Sequence, residues 1–160
     1  MSLADFIVST AILECADSAG KIDVVQQLLH RLAADGHLDP GRVPLVFDGV
    51  MRRESLGSTG IGRGIAIPHT KHPGVPRRLG ILGICRPPVD FDSVDGEPAD
   101  LIFLILAPPD LPGYQSMRVP REMEELPRRL RSDKFCNQLR HSTTEVELRE
   151  ILSQSELADW

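Results

Sequence analysis

The amino-acid sequence predicts an α+β fold in which a central sheet is covered by helices on both faces. Three observations predict it. Helical periodicity fills residues 21–53, two almost wholly apolar runs occupy residues 79–85 and 101–106, and helical patterning returns over residues 121–152. A strand that is apolar at nearly every position, not only at alternate ones, belongs to a sheet buried on both sides. Each face of that sheet then needs its own layer of helices.

Residues 1–20 are weakly patterned, with a short strand expected near Ile12 and Leu13. Residues 21–35 form a helix by period, because Ile22, Val25, Leu28, Leu29 and Leu32 share one face, and Gly36 supplies a left-handed stop. Asp39-Pro40 is a start signal, with aspartate as N-cap and proline at the first helical position. The helix it opens runs over residues 43–53, with Val43, Val46, Phe47, Val50 and Met51 on its apolar face. Glycines at 60, 62 and 64 then make a loop, followed by Ile65-Ala66-Ile67 as a strand end, Pro68 and His69.

Residues 79–85 and 101–106 are the buried strands, separated by a turn-rich stretch at 91–98. Pro108-Pro109-Asp110-Leu111-Pro112-Gly113 stops the second strand and opens a long loop. Three helices close the chain, at 121–131, 133–140 and 145–152. Pro127 is expected to kink or break the first, and Thr144 with Glu147 forms a cap region for the last. With 160 residues and no repeats or linker, the chain reads as one domain over 1–160.

A net charge of −5 argues against a general nucleic-acid binder. Arg52, Arg53, Arg63, Lys71, Arg77 and Arg78 nevertheless flank the glycine loop, as a local basic patch or an ordinary solvated face. Cys15, Cys85 and Cys136 are widely spaced and odd in number, and no signal peptide is evident, so reduced thiols and a cytoplasmic location are expected. No apolar run approaches the ~20 residues that span a bilayer, so no membrane insertion is expected.

The chemistry concentrates in the stretch from Glu54 to His69. Three closely spaced glycines let backbone N–H groups approach an anion, and Pro68 restrains the chain just before an imidazole. That is the layout expected of a histidine that itself carries a phosphoryl group. No Gly-Lys-Ser/Thr follows the glycines, so they are not a nucleotide P-loop. His72 follows His69 by three residues, but no acidic or cysteine partner stands at ligand spacing, and no metal is expected. His30 and His141 read as structural or exposed. Glu54 either orients its neighbour Arg53 or caps a helix-end turn.

The spacing of Glu54, Ile61, Gly62, Ile65, Ala66, Ile67, Pro68 and His69 resembles the signature of the fructose/mannitol-type enzyme IIA domains of the bacterial sugar phosphotransferase system. That family includes the nitrogen-regulatory enzyme IIA proteins. The resemblance extends to the early helices, the turn at 95–98, the loop at 107–110 and the helical end. It implies a three-layer α/β/α sandwich on a mixed sheet. It also implies that His69 accepts phosphate from the carrier protein HPr and passes it to an enzyme IIB.

 The accepting atom that the resemblance implies is Nε2 of His69. Arg53 matches an arginine beside that histidine and would stabilise the phosphate. Gly60, Gly62 and Gly64 are the expected phosphate-binding amides, with Glu54 and Thr59 as supporting residues.

Two departures from the family pattern stand out. The position after the histidine is usually very small and here is Thr70. A second family histidine should fall near Val119, but no histidine lies between His72 and His141. Tyr114, Gln115, Arg118 and Arg121 are the candidates to replace it.

Histidine suits a reversible phosphoryl relay, because its ordinary pKa of about 6.5 leaves a neutral nucleophilic nitrogen at cytosolic pH. The donor is a phosphohistidine, so the scheme needs no cofactor and no metal. Three readings follow: a phosphocarrier between HPr and an enzyme IIB, a regulatory protein whose partner senses phosphorylation, or an interaction module that has lost efficient transfer. A homodimer is left open.

Overall fold

The computed structural model describes residues 3–15, 20–109 and 121–154. Its elements are β1 (Ile7–Glu14), α1 (Lys21–Ala34), α2 (Val43–Leu56), β2 (Gly60–Gly62), β3 (Ile65–Ala66), β4 (His69–Lys71), β5 (Leu79–Val89), β6 (Ala99–Ala107), α3 (Arg121–Leu130), α4 (Asp133–Arg140) and α5 (Glu145–Ser153). Short 3₁₀ turns stand at Leu3–Asp5 and Pro40–Arg42.

The sheet runs β1-β5-β6-β3-β2, and β4 also pairs with β6. It is mixed: β1 lies parallel to β5, β5 antiparallel to β6, and both β3 and β4 parallel to β6. Side chains along β6 alternate between two cores, as strand geometry requires. Ile102, Leu104 and Leu106 pack with Leu28, Leu29 and Leu32 of α1 and Val46 and Val50 of α2. Leu101, Phe103 and Ile105 pack with Leu126, Leu130, Phe135, Leu139, Leu148 and Leu152 of α3, α4 and α5. Each fully buried large side chain contributes about 1.5–3 kcal/mol. β6 therefore sits in the most protected place in the molecule, and it is the strand against which the His69 segment is registered.

The helix ends follow the expected chemistry. Gly36 (φ +82°) ends α1, with His37 N–H donating to Leu32 C=O at 2.9 Å and Gly36 N–H to Ala33 C=O at 3.0 Å. The Thr144 hydroxyl accepts from Glu147 N–H at 3.1 Å and starts α5.

Four expectations need correction. β1 spans eight residues, not a short piece near Ile12 and Leu13. Its pattern is obscured because Ser9 and Thr10 are buried polar residues, satisfied by Asp35 at 2.7 Å and by the Glu145 carbonyl at 3.3 Å. Asp39 does cap a start, accepting from Gly41 N–H at 3.0 Å. What it opens is the 3₁₀ turn, and α2 begins only at Val43. α2 also continues to Leu56, which puts Arg53 and Glu54 in its last turn. Finally, α3 runs unbroken through Pro127, with Leu126 and Leu130 fixed in the core on either side. One missing N–H is tolerated where packing holds the helix.

Candidate functional site

The site is built from the end of α2 to the start of β4. Gly57 closes α2 with its N–H on the Glu54 carbonyl at 3.1 Å, and Arg53 Nη1 donates to the Gly57 carbonyl at 2.9 Å. The Glu54 side chain turns inward and is only 2% exposed. Its Oε1 accepts from the Thr59 N–H at 3.1 Å and from the Thr59 hydroxyl, and its Oε2 accepts from Lys21 Nζ at 3.2 Å. Lys21, at the first position of α1, also donates to Asp92 Oδ2 at 2.9 Å. Burial pulls the Lys21 ammonium down, but Asp92 and Glu54 outweigh it and hold the group above its ordinary pKa. Of the two roles open for Glu54, the structure shows the turn-organising one: its bonds go to Thr59 and Lys21.

Thr59 passes this order along the chain. Its carbonyl accepts from Ile67 N–H at 3.0 Å. The Ile67 carbonyl in turn lies 2.8 Å from Nδ1 of His69. A carbonyl can only accept, so Nδ1 carries a proton, and in the neutral imidazole the free lone pair is then on Nε2. His69 is exposed, so that lone pair belongs to a reachable ring.

His69 begins a strand and does not merely follow one. β3 and β4 run along β6 at an unbroken offset, with Ile65 opposite Leu101, Ala66 opposite Ile102 and His69 opposite Ile105. Pro68 interrupts the strand, yet its carbonyl still accepts from Ile105 N–H at 2.9 Å. Paired residues share a face, so His69 stands with Ile105 and Thr70 with Leu106 on the side of α1 and α2. On that side α2 presents Gly49 to Thr70.

The glycines take a different place from the one expected. Gly60–Gly62 is β2, antiparallel to β3, and Arg63 (φ +59°) with Gly64 (φ +79°) makes the turn between them. Positive φ at both central residues is the two-residue hairpin turn that matches strand twist. The Gly60 N–H is taken by Ser58 Oγ at 3.0 Å, and the Gly64 carbonyl accepts from the N–H groups of Asp100 and Leu101. The hairpin tip is therefore level with the start of β6, while His69 is level with Ile105. Four residues of strand separate Leu101 from Ile105, about 13 Å. Gly62 and Gly64 do not form a cradle around the imidazole.

The hairpin is instead held by charge. Arg63 N–H donates to Asp95 Oδ2 at 2.9 Å, and Arg63 Nη2 lies 2.5 Å from Asp133 Oδ1. The backbone N–H groups of Arg63 and Glu97 hold the Asp95 carboxyl below its ordinary pKa. Arg140 Nε completes the clamp on Asp100 at 2.9 Å.

No hydrogen bond joins Arg53 to His69 among the described residues. His72 accepts from Gly74 N–H at 2.9 Å through Nδ1 and shapes a turn. Among the described residues no cluster of three or more His, Cys, Asp or Glu could hold a metal ion. Tyr114, Gln115, Arg118 and Val119 lie outside the described residues, and Arg121 is the first residue of α3. Sequence reasoning missed Lys21 and Asp92. Nothing in the spacing could have revealed that residues 33 and 38 positions from Glu54 meet at one carboxylate or its lysine.

Comparisons with known proteins bear on the family and the fold. Residues 6–155 match the family described as "Phosphoenolpyruvate-dependent sugar phosphotransferase system, EIIA 2". A nitrogen regulatory protein of Bradyrhizobium diazoefficiens is 39% identical over 109 residues, covering 68% of this chain and 69% of that protein. One from Escherichia coli is 34% identical over 131 residues, covering 81% of this chain and 77% of that protein. The crystal structure of the nitrogen regulatory protein IIA-Ntr from Neisseria meningitidis superposes with a TM-score of 0.69 at 30% identity, over 89% of this chain and 92% of that one. By its sequence and its three-layer architecture, the chain belongs to the EIIA 2 family of the phosphoenolpyruvate-dependent sugar phosphotransferase system.

Proposed function

We propose that this protein is a phosphohistidine carrier of the phosphotransferase system, with Nε2 of His69 as the phosphoryl acceptor. The observation that carries the reading is the 2.8 Å contact between His69 Nδ1 and the Ile67 carbonyl, which makes Nε2 the nucleophilic nitrogen of the neutral form on an exposed ring. The Nε2 lone pair attacks phosphorus of phosphorylated HPr, and the P–N bond of the donor breaks with its electron pair staying on the departing imidazole. The proton on Nδ1 stays in place, and the Ile67 carbonyl stabilises the positive charge that the ring gains. Release to an enzyme IIB is the reverse exchange. In such transfers the protein's work is positioning and charge stabilisation. Arg53, in the last turn of α2, is the side chain that would meet the phosphoryl oxygens.

The regulatory use of this chemistry is favoured over bulk sugar transport, because the relatives reported above are nitrogen regulatory proteins. A phosphoryl group adds about −1.5 to −2 of charge, enough to change which surface a partner accepts. The whole chain would act as one unit in the cytoplasm. Incubation with phosphoenolpyruvate, enzyme I and HPr should place one acid-labile phosphate on the wild type and none on His69→Ala. Equal labelling of the two would reject His69 as the acceptor, and no labelling of the wild type would reject the carrier function.

A further inference from the structure

Glu54 stands where a carboxylate is poorly placed. It lies in the last turn of α2, where the helix dipole disfavours negative charge, and its side chain is 2% exposed. A buried ion pair is a weak source of stability, since an apolar residue of similar size commonly does as well. What Glu54 supplies that an apolar residue cannot is direction. It holds both the N–H and the hydroxyl of Thr59, whose carbonyl holds Ile67, whose carbonyl holds the proton of His69 Nδ1. Lys21 fixes the other oxygen of the carboxylate, and Asp92, at φ +52°, fixes Lys21. A non-glycine residue in that region is costly and persists where its surroundings demand it.

We propose that Glu54, anchored by Lys21, is a positioning residue for the phosphoryl acceptor: through Thr59 and the Ile67 peptide it keeps His69 in the Nδ1–H form. The proposal rests on His69 as acceptor, but its central readout does not require phosphate. Without the anchor the Ile67 carbonyl is free to tilt, and the ring relaxes toward the tautomer mixture of a solvated imidazole. A hydrogen bond of ordinary net strength corresponds to about a fivefold change in that ratio.

The experiment is to record the ¹⁵N shifts of the His69 ring in unphosphorylated protein, for the wild type, Glu54→Ala, Glu54→Gln and Glu54→Met. The wild type should show the Nδ1–H tautomer alone. Glu54→Ala should show a mixture and be phosphorylated by phospho-HPr several-fold more slowly. Glu54→Gln, which keeps an acceptor for Thr59, should restore the wild-type pattern. A folded Glu54→Ala with the wild-type ring pattern overturns the proposal, even where its stability has dropped. Should Glu54→Ala fail to fold, Glu54→Met decides in the same way, because it fills the same space and offers Thr59 no acceptor. A wild type with the fixed tautomer that takes no phosphate would reject the carrier function and leave the positioning role standing.

Discussion

The side chain of Thr70 occupies the space that a side chain on Gly49 would need: a Cβ at Gly49 would lie 3.0 Å from Thr70 Oγ1. The pair explains how the Thr70 side chain is accommodated directly after His69: the helix that covers the strand carries no side chain at Gly49. Alanine in a helix gains about 1 kcal/mol over glycine, so Gly49→Ala has a propensity benefit set against a steric cost. In a double-mutant cycle, Gly49→Ala and Thr70→Ala should couple by at least ~0.5 kcal/mol, the double variant being more stable than the sum of the singles. Urea denaturation of the four proteins measures this, and additivity would remove the pair's significance.

The hairpin tip gives a test of what the glycines do. A Cβ on Gly64 would meet Arg140 Nη2 at 2.6 Å and Asp100 Oδ1 at 2.8 Å, at a φ of +79°. Gly64→Ala should therefore cost about 1–3 kcal/mol in stability. Under conditions where it remains folded, its rate of phosphorylation should stay within twofold of wild type, because the tip is remote from the imidazole. A selective loss of phosphorylation without loss of stability would restore the cradle.

Acid should loosen the same region. The native Asp95 carboxyl titrates below the unfolded value of about 3.9, held down by the N–H groups of Arg63 and Glu97. At pH above 3.9 both states are ionised and its stabilisation is complete. It is lost as pH falls through the lower native value, where the folded carboxylate takes up its proton. Asp95→Asn should therefore narrow the stability difference between pH 5 and pH 3. A carboxyl ¹³C titration of the wild type checks the premise, and an ordinary Asp95 midpoint would contradict it.

The thiols should be inert in the native protein. Burial, reinforced by the neighbouring Cys15, pushes the Cys85 thiol far up, and burial also raises Cys136. Thiolate is the reactive form, so both should resist iodoacetamide at pH 8 and react together once urea unfolds the chain. Mass spectrometry counts the adducts. Rapid native labelling of Cys85 would show that its strand opens far more readily than its packing implies.

Much of this architecture was legible in the sequence. The apolar face of α1 from Val25 to Leu32 (Ile22 is exposed and Val24 is buried instead), the doubly buried runs of β5 and β6, and the caps at Gly36 and Thr144 each rest on local patterns that tertiary contacts then reinforce. β1 was not, since Ser9 and Thr10 are buried through bonds to residues 26 and 135 positions away. The glycine stretch announced a turn, but only the pairing of Gly60 with Ala66 and Gly62 with Ile65 reveals which way it points. The Lys21–Glu54 contact depends on where α1 and α2 lie together, which no local spacing encodes.

The unbroken offset of β3 and β4 along β6 has a consequence for signalling. The imidazole rides on β4, which is registered against the innermost strand of the protein, so a passenger on Nε2 has little main chain within reach to displace. Loaded and empty forms should then share one outline and differ in electrical potential around the ring. A partner that tells them apart would be reading charge, and its discrimination should fade as salt is added.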